Sequence, residues 1–217
     1  MAQIRSVLLD LDGTLIDSAP GILASCGAAL RALGHEPPAD MRVAVGPPLE
    51  DILRGLLAPL GDDRLDEAVL AYRADYGSNG IARNTLYPGI GDALRQMSGA
   101  GLQLYLATSK RAVFARAILE HLELTRFFAG IHGSEPGGAL DHKPELIAHV
   151  LSKHRLHPAS SVMVGDRQFD ISGAHANGMR AYGVLWGYGS RAELEGAGAD
   201  RLLPSAAELS QLTTGTI

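Results

Sequence analysis

Short aliphatic runs alternate with helical spacing over most of the chain. The first run, residues 7–9, is uninterrupted, which is typical of a strand buried on both faces of a parallel sheet. The later part of the chain repeats a helix–strand alternation, with helices predicted over 89–99, 111–121, 143–154 and 169–178 and strands over 102–107, 129–133, 161–165 and 180–187. Such alternation predicts a parallel sheet with right-handed crossovers and helices on both faces.

The stretch between residues 16 and 83 has a different sequence pattern. It is rich in alanine and leucine at helical spacing, its segments end at glycines such as Gly34 and Gly61, and strands are hard to find between residues 19 and 83. We therefore predict an α/β fold with a Rossmann-like parallel sheet core formed by residues 1–15 and 84–217. A small all-helical domain, residues 16–83, is inserted after the first strand.

Composition narrows the class of protein. Of the 217 residues, 46% are hydrophobic and 20% charged, as in ordinary globular enzymes. The net charge of −5 argues against a nucleic-acid surface. No apolar run approaches the ~18 residues of a membrane span, and Asp10 follows the N-terminus too early for a signal peptide. The single cysteine, Cys26, excludes an internal disulfide, so we expect a cytoplasmic protein with this thiol buried on a helix.

Polar residues follow the predicted strands at the points where they end. Open parallel sheets bind ligands beyond the carboxyl ends of their strands, so these residues are candidates for one site. They comprise carboxylates, hydroxyls and two lysines, one of which opens a predicted helix: Asp10, Asp12, Thr108, Ser109, Lys110, Lys143, Asp166 and Asp170.

Two carboxylates one residue apart need an explanation. A single Asp or Thr after a strand is commonly a helix cap. Asp10 and Asp12 together, however, repel each other by about 4 kcal/mol at ~4 Å and an effective dielectric of about 20. Such a cluster requires a cation, and carboxylate and carbonyl oxygens are the hard ligands that suit Mg²⁺. The sequence therefore predicts a Mg²⁺ site at the end of the first strand.

These motifs resemble a known family. "DLDGT" at 10–14, the strand that ends in Thr108, the lysine Lys143 and "GDRQFD" at 165–170 are similar, in order and spacing, to the four motifs of the haloacid dehalogenase-like hydrolase superfamily. The resemblance covers essentially the whole chain and implies that the helical insert is a cap domain. "VGPPLEDIL", "DHKPELI" and "VLWGYGS" are similar to a bacterial branch of phosphoglycolate phosphatases and 5′-nucleotidases. The pattern Lys-Pro-x-Pro of the former is absent here, since Glu145 and Leu146 follow Pro144.

The resemblance implies a division of roles. Asp10 is expected to be the nucleophile that forms an aspartyl phosphate. Asp12 is expected to protonate the leaving oxygen and then to accept a proton from the attacking water. Mg²⁺ is expected on the Asp10 carboxylate, the Asp12 backbone carbonyl and the Asp166 carboxylate, with Asp170 orienting Lys143 or a metal-bound water.

The phosphate is expected to contact Thr108 and Lys143, together with the backbone N–H groups after Asp12. Further candidates for phosphate or substrate binding lie within or next to these motifs, or on the insert: Gly13, Thr14, Ser109, Lys110 and Arg42.

Three hypotheses about the function stay open. The first is a Mg²⁺-dependent phosphatase of small phosphorylated metabolites, without nucleic-acid or membrane partners, as a monomer or weak homodimer. The second is a phosphosugar mutase of the β-phosphoglucomutase type, which uses the same pair of aspartates. The third is a non-catalytic phosphate-binding regulatory relative, which has no need of Asp12. Dehalogenation is disfavoured because halide departure needs no proton and hence no Asp12.

Overall fold

The chain folds as two compact units. The computed structural model describes residues 3–41, 45–138 and 140–214. Residues up to Asp17 together with those from Leu86 onward form unit 1, and Ser18–Thr85 form unit 2. The predicted ranges were 1–15 and 84–217 for the core and 16–83 for the insert. Both boundaries between the units lie two residues later than predicted.

Strands and helices alternate through unit 1. The strands are β1 (Ser6–Leu9), β2 (Ile16–Asp17), β3 (Thr85–Leu86), β4 (Gln103–Arg111), β5 (Phe128–Ser134), β6 (Ser161–Gly165), β7 (Arg180–Val184) and β8 (Arg201–Leu203). The helices of the whole chain are α1 (Ala19–Ala32), α2 (Leu49–Leu57), α3 (Leu65–Asp75), α4 (Ile90–Gly99), α5 (Ala112–His121), α6 (Lys143–His154), α7 (Gln168–Ala176) and α8 (Arg191–Gly196).

A six-stranded parallel sheet is the core of unit 1. Its spatial order is β5–β4–β1–β6–β7–β8, and every neighbouring pair is parallel. The chain moves outward from β1 to β5 and then crosses back to β6, so right-handed crossovers place α4 and α5 on one face and α6, α7 and α8 on the other. This confirms the predicted α/β fold.

The position of β1 decides where a site can form. β1 lies between β4 and β6, with Leu9 in register with Leu106 on one side and Val164 on the other. The connections that leave β1 and β6 run in opposite directions, which opens a crevice at the carboxyl ends of these two strands. The crevice therefore lies where Asp10 and Asp166 follow their strands.

Buried apolar side chains hold the sheet to its helices. On the face of α6, α7 and α8, the core cluster draws on both the strands and the helices: Leu8, Tyr105, Leu146, Ile147, Met163, Ile171, Ala181 and Leu194. Each fully buried aliphatic side chain of this kind contributes about 1.5–3 kcal/mol to folding. The crevice at the ends of β1 and β6 is therefore attached to a close-packed scaffold.

Unit 2 is built from α1, α2 and α3 with short turns between them. Cys26 is buried on α1, as predicted, and burial raises the pKa of its thiol to about 12. After α3 the chain continues as a π-helix, Tyr76–Gly80. The Tyr76 hydroxyl donates to Oδ1 of Asn84 (3.2 Å), whose Nδ2 donates to the carbonyl of Ile81 (2.8 Å), so side chains fix this irregular return. Among the described residues, none of the helices has the length and apolar character needed to cross a membrane.

Some predicted element boundaries agree with the structure and others do not. The bounds of α6 and β6 agree with the prediction, whereas β4 continues to Arg111 instead of ending at 107, and β7 ends at Val184 instead of 187. The short elements α8 and β8 were not predicted. Six and three residues are too few to display a period.

Three histidines meet between β5 and α6. Nε2 of His132 lies 2.9 Å from Nε2 of His154, and the ring of His149 lies edge-on to His132, 5.4 Å between centroids. Gly130 leaves room for this pair, since a Cβ there would lie 2.7 Å from Nε2 of His132. Burial, with smaller effects of Lys153 and the neighbouring histidines, lowers the pKa of His132 to about 4.

This cluster predicts a loss of stability in acid. The pKa of His132 is about 4 in the folded chain and 6.5 in the unfolded one, so the unfolded state binds more protons below pH 6.5. We expect the His132→Gln variant to lose less stability than wild type between pH 7 and pH 4, by on the order of 2 kcal/mol. Urea denaturation at both pH values measures this difference. Parallel pH curves for the two proteins would contradict the assignment.

Candidate active site

The predicted site residues of the core meet at the crevice beside β1 and β6. The Asp10 N–H donates to the Val164 carbonyl (3.0 Å), which ties the end of β1 to β6. Asp166 follows β6, Asp170 lies in the first turn of α7, and Lys143 is the first residue of α6.

Three carboxylates form the centre of the site. Asp10, Asp166 and Asp170 each place an oxygen within 4.8 Å of the other two, and all three are buried. Burial, with Asp170 as a further cause, raises the pKa of Asp10 to about 6 despite the opposing effect of Lys143. Burial, followed by repulsion from Asp10 and Asp170, raises the pKa of Asp166 to about 8. The site therefore holds more negative charge than its surroundings compensate.

Lys143 is the cation nearest to these carboxylates. Its Nζ lies 2.8 Å from Oδ1 of Asp10 and 2.6 Å from Oδ1 of Asp170, and it donates to the Ala107 carbonyl at 2.9 Å. Burial alone would lower the pKa of Lys143, but the two carboxylates outweigh it and the pKa is raised. Gly173 of α7 permits the approach, since a Cβ there would lie 2.7 Å from the Lys143 Cβ.

Asp12 lies apart from the trio and has a cation of its own. The Lys110 ammonium donates to both of its carboxylate oxygens, at 2.8 and 2.9 Å. Lys110 was predicted to bind phosphate; its Nζ lies on Asp12 in this structure, and the phosphate contact stays a prediction. Because β4 runs to Arg111, Lys110 belongs to the strand and not to a following helix.

The loop after Asp12 is closed by its own hydrogen bonds. The N–H of Gly13 donates to the Ile16 carbonyl (2.9 Å) and that of Thr14 to the Leu11 carbonyl (3.3 Å). Within the described residues, nothing accepts a hydrogen bond from the N–H groups of Leu11 and Asp12. The free backbone donors therefore lie at Leu11 and Asp12, two residues before the expected Gly13 and Thr14.

Gly13 has a positive φ of +81° and faces Asp166, where a Cβ would collide with the carboxylate. The Thr14 hydroxyl points to Asp166 Oδ1 at 3.5 Å, the limit of a hydrogen bond.

Thr108 is buried and its Oγ1 accepts the N–H of Lys110 (3.2 Å), while its neighbour Ser109 is partly buried. Arg42 lies outside the described residues, so its place in the site stays a prediction.

A glycine-flanked tyrosine after β7 is the component that the sequence did not predict. The Tyr188 N–H donates to Oδ2 of Asp166 (2.8 Å) and its hydroxyl to Oδ1 of Asp17 (2.8 Å). Side chains at Gly187 or Gly189 would collide with Asp166. The only available signal was the sequence Gly-Tyr-Gly after a strand, which marks close backbone approach.

Comparison with known proteins identifies the family. The family model described as haloacid dehalogenase-like hydrolase matches residues 7–184. The chain belongs to this family. The match includes the predicted motifs and confirms the resemblance drawn from them.

Three relatives show the range of named activities within the family. A 5′-nucleotidase of Pseudomonas aeruginosa is 42% identical over 193 residues, 87% of this chain and 86% of that one. The tyrosine-protein kinase PtkA of Mycobacterium tuberculosis is 41% identical over 208 residues, 95% of this chain and 70% of that one. The solved structure of PtkA has a TM-score of 0.79 at 37% identity, covering 97% of this chain and 98% of that one.

The third relative is a phosphoglycolate phosphatase of Pseudomonas putida. It is 32% identical over 192 residues, 85% of this chain and 70% of that one. The names of the 5′-nucleotidase and of this phosphatase agree with the predicted bacterial branch. The chain is accordingly a haloacid dehalogenase-like hydrolase, and two of these relatives are named as a nucleotidase and a phosphatase.

The ion pairs of Lys143 with Asp10 and Asp170 predict how Lys143→Met changes the stability of the protein. Removal of Lys143 leaves Asp10 and Asp170 buried without their ammonium, which in buried pairs costs on the order of 3–5 kcal/mol. The pKa of Asp10, already about 6, then rises further, so the loss should be large at pH 8 and much smaller at pH 5. Urea unfolding of both proteins in EDTA measures it. An equal loss at the two pH values would contradict the ion-pair account.

Proposed function

We propose that this haloacid dehalogenase-like protein is a Mg²⁺-dependent phosphatase of small phosphomonoesters that forms an aspartyl phosphate on Asp10. One observation carries the proposal. The buried carboxylates of Asp10, Asp166 and Asp170 lie within 4.8 Å of one another at the crevice of the sheet, and the buried Lys143 contacts Asp10. Such a site binds a divalent cation and, with it, a phosphate.

The donor set fits magnesium. Three carboxylate oxygens without histidine or cysteine are hard ligands, and their negative charge exceeds that of Lys143. Asp10 and Asp166 would hold the ion, together with the Asp12 backbone carbonyl, and Asp170 would orient Lys143. When bound, Mg²⁺ would neutralise this charge and polarise the phosphoryl oxygens.

The residues around Asp10 supply the remaining contacts to phosphate. The free N–H groups of Leu11 and Asp12 adjoin the nucleophile, and the buried Thr108 hydroxyl and Lys143 ammonium lie on the neighbouring β4 and α6. Donors fixed by the scaffold stabilise the charge that develops on the phosphoryl oxygens without reorganising. These groups would hold the phosphorus in line with a carboxylate oxygen of Asp10.

Asp12 would move the protons. It gives a proton to the leaving oxygen while Asp10 forms its bond to phosphorus and the ester bond breaks. It then accepts a proton from the water that attacks the aspartyl phosphate, which regenerates Asp10 and releases inorganic phosphate. Nucleoside monophosphates and phosphoglycolate are the first substrates to test, given the names of the relatives.

The likeness to PtkA favours a second candidate, in which a tyrosine hydroxyl replaces water as the phosphoryl acceptor. Incubation with a nucleoside triphosphate or a phosphomonoester, followed by mass spectrometry, distinguishes the two. Phosphotyrosine on this chain or on added protein supports transfer, whereas inorganic phosphate alone supports hydrolysis.

A phosphate-release screen tests the proposed hydrolysis. With Mg²⁺ we expect turnover of at least one small phosphomonoester, loss of turnover in EDTA, and recovery with excess Mg²⁺. Mg²⁺ should also raise the melting temperature of wild type, and raise it less in Asp166→Asn, because binding to the folded state alone stabilises it. Asp10→Asn should be inactive and serves as the control. Undiminished turnover in EDTA would refute the metal requirement.

The choice of leaving group distinguishes the roles of Asp10 and Asp12. In Asp12→Asn, p-nitrophenyl phosphate should give a burst of nitrophenolate of about one per site, followed by slow turnover, since this anion leaves without a proton. An alkyl phosphate should give no burst, because its leaving oxygen needs the missing proton. Rapid-quench measurement of product distinguishes the cases. Equal bursts from both substrates, or a burst from Asp10→Asn, would show that the roles are assigned wrongly.

A further inference from the structure

Two lysines of the site serve two different carboxylates. Lys143 lies against Asp10 and Asp170. Lys110 instead donates to both carboxylate oxygens of Asp12, at 2.8 and 2.9 Å. Both side chains of this second pair are largely withdrawn from solvent, with exposed fractions of 8% for Lys110 and 12% for Asp12. An ion pair that contacts both oxygens restricts the rotation of a carboxylate.

The strand register brings this pair together. Leu9 of β1 lies beside Leu106 of β4, so Asp12, three residues on, and Lys110, four residues on, extend from neighbouring strand ends. The Lys110 N–H donates to Oγ1 of Thr108 (3.2 Å), which fixes the backbone from which the lysine extends.

Gly133 of β5 completes the placement. A Cβ at this position would collide with the Lys110 carbonyl and would lie 2.9 Å from the Ala112 N. The Thr108 hydroxyl therefore fixes the backbone at Lys110, and the next strand packs against this backbone at a position where a side chain would not fit.

We propose that Lys110 is a positioning residue, which fixes the Asp12 carboxylate at the leaving-group side of the site. This inference rests on the proposed function, because Asp12 matters only if it moves protons. Lys110 makes and breaks no bond in the reaction. Its contribution is to keep Asp12 in the one orientation from which it can reach both the leaving oxygen and the attacking water.

A double-mutant cycle with an alkyl phosphate tests this proposal. In the wild-type background, Lys110→Met should lower kcat about 10- to 100-fold, part of the 10²- to 10⁴-fold supplied by a positioned acid–base group. In the Asp12→Asn background, the same substitution should change the residual rate less than about 3-fold, because the group it positions is already gone. The inhibition constant of inorganic phosphate should stay within about 3-fold of wild type.

A direct phosphate contact predicts the opposite pattern. Lys110→Met would then lower the rate equally in both backgrounds and raise the inhibition constant of inorganic phosphate about tenfold or more, the cost of a lost charged contact. Either result overturns the proposal, as does an unchanged rate in the wild-type background. Lys153→Met, on the exposed surface of α6, is the matched control for loss of a lysine. Lys110→Arg, which keeps the positive charge in a bulkier side chain, should retain more of the rate than Lys110→Met.

A measurement without turnover separates this proposal from the proposed function. Wild-type inactivity toward every phosphomonoester would refute phosphatase activity and leave the geometry to be tested by crystallography. In substrate-free Lys110→Met crystals, the Asp12 side chain should leave its wild-type rotamer or occupy more than one. An unchanged, single Asp12 rotamer would show that Lys110 does not position it.

Discussion

The buried ammonium of Lys143 is the interaction on which the candidate active site depends. Asp10 and Asp170 both lie within 2.8 Å of its Nζ, in a region from which solvent is largely excluded. Without a cation, carboxylates at such separations would not stay ionised, and a protonated Asp10 is not a nucleophile. One lysine does not balance three carboxylates, so the same arrangement that stabilises the site leaves it ready for a divalent cation.

The sheet topology supplies this arrangement. Because β1 lies between β4 and β6, the residues that follow β1 and β6 emerge side by side, and α6 and α7 begin at the same edge. Each crossover therefore delivers one polar side chain to the crevice. Backbone atoms fit between these side chains only where Cβ atoms are absent, at Gly13, Gly165, Gly173, Gly187 and Gly189. A methyl group at any of these would meet Asp166, Asp170 or Lys143.

The site divides its positive charge between two carboxylates. Lys143 belongs to the carboxylate that would carry the phosphoryl group, and Lys110 to the carboxylate that would carry the proton. Separate counterions keep two aspartates that are one residue apart in different environments. The likeness to proteins named as nucleotidase, phosphoglycolate phosphatase and tyrosine kinase is consistent with a core that fixes the chemistry and leaves the phosphoryl donor and acceptor to other parts of the chain.

The sequence by itself determined the α/β class, the bounds of α6 and β6, and the polar residues at the strand ends, because these follow from spacings of two to four residues along the chain. Tertiary structure decided which cation meets which carboxylate. Lys110 and Asp12 are 98 residues apart, and Tyr188 reaches Asp166 across 22 residues and a strand crossover. Such pairs depend on sheet order and register, and on the extension of β4 to Arg111, none of which leaves a local period in the sequence.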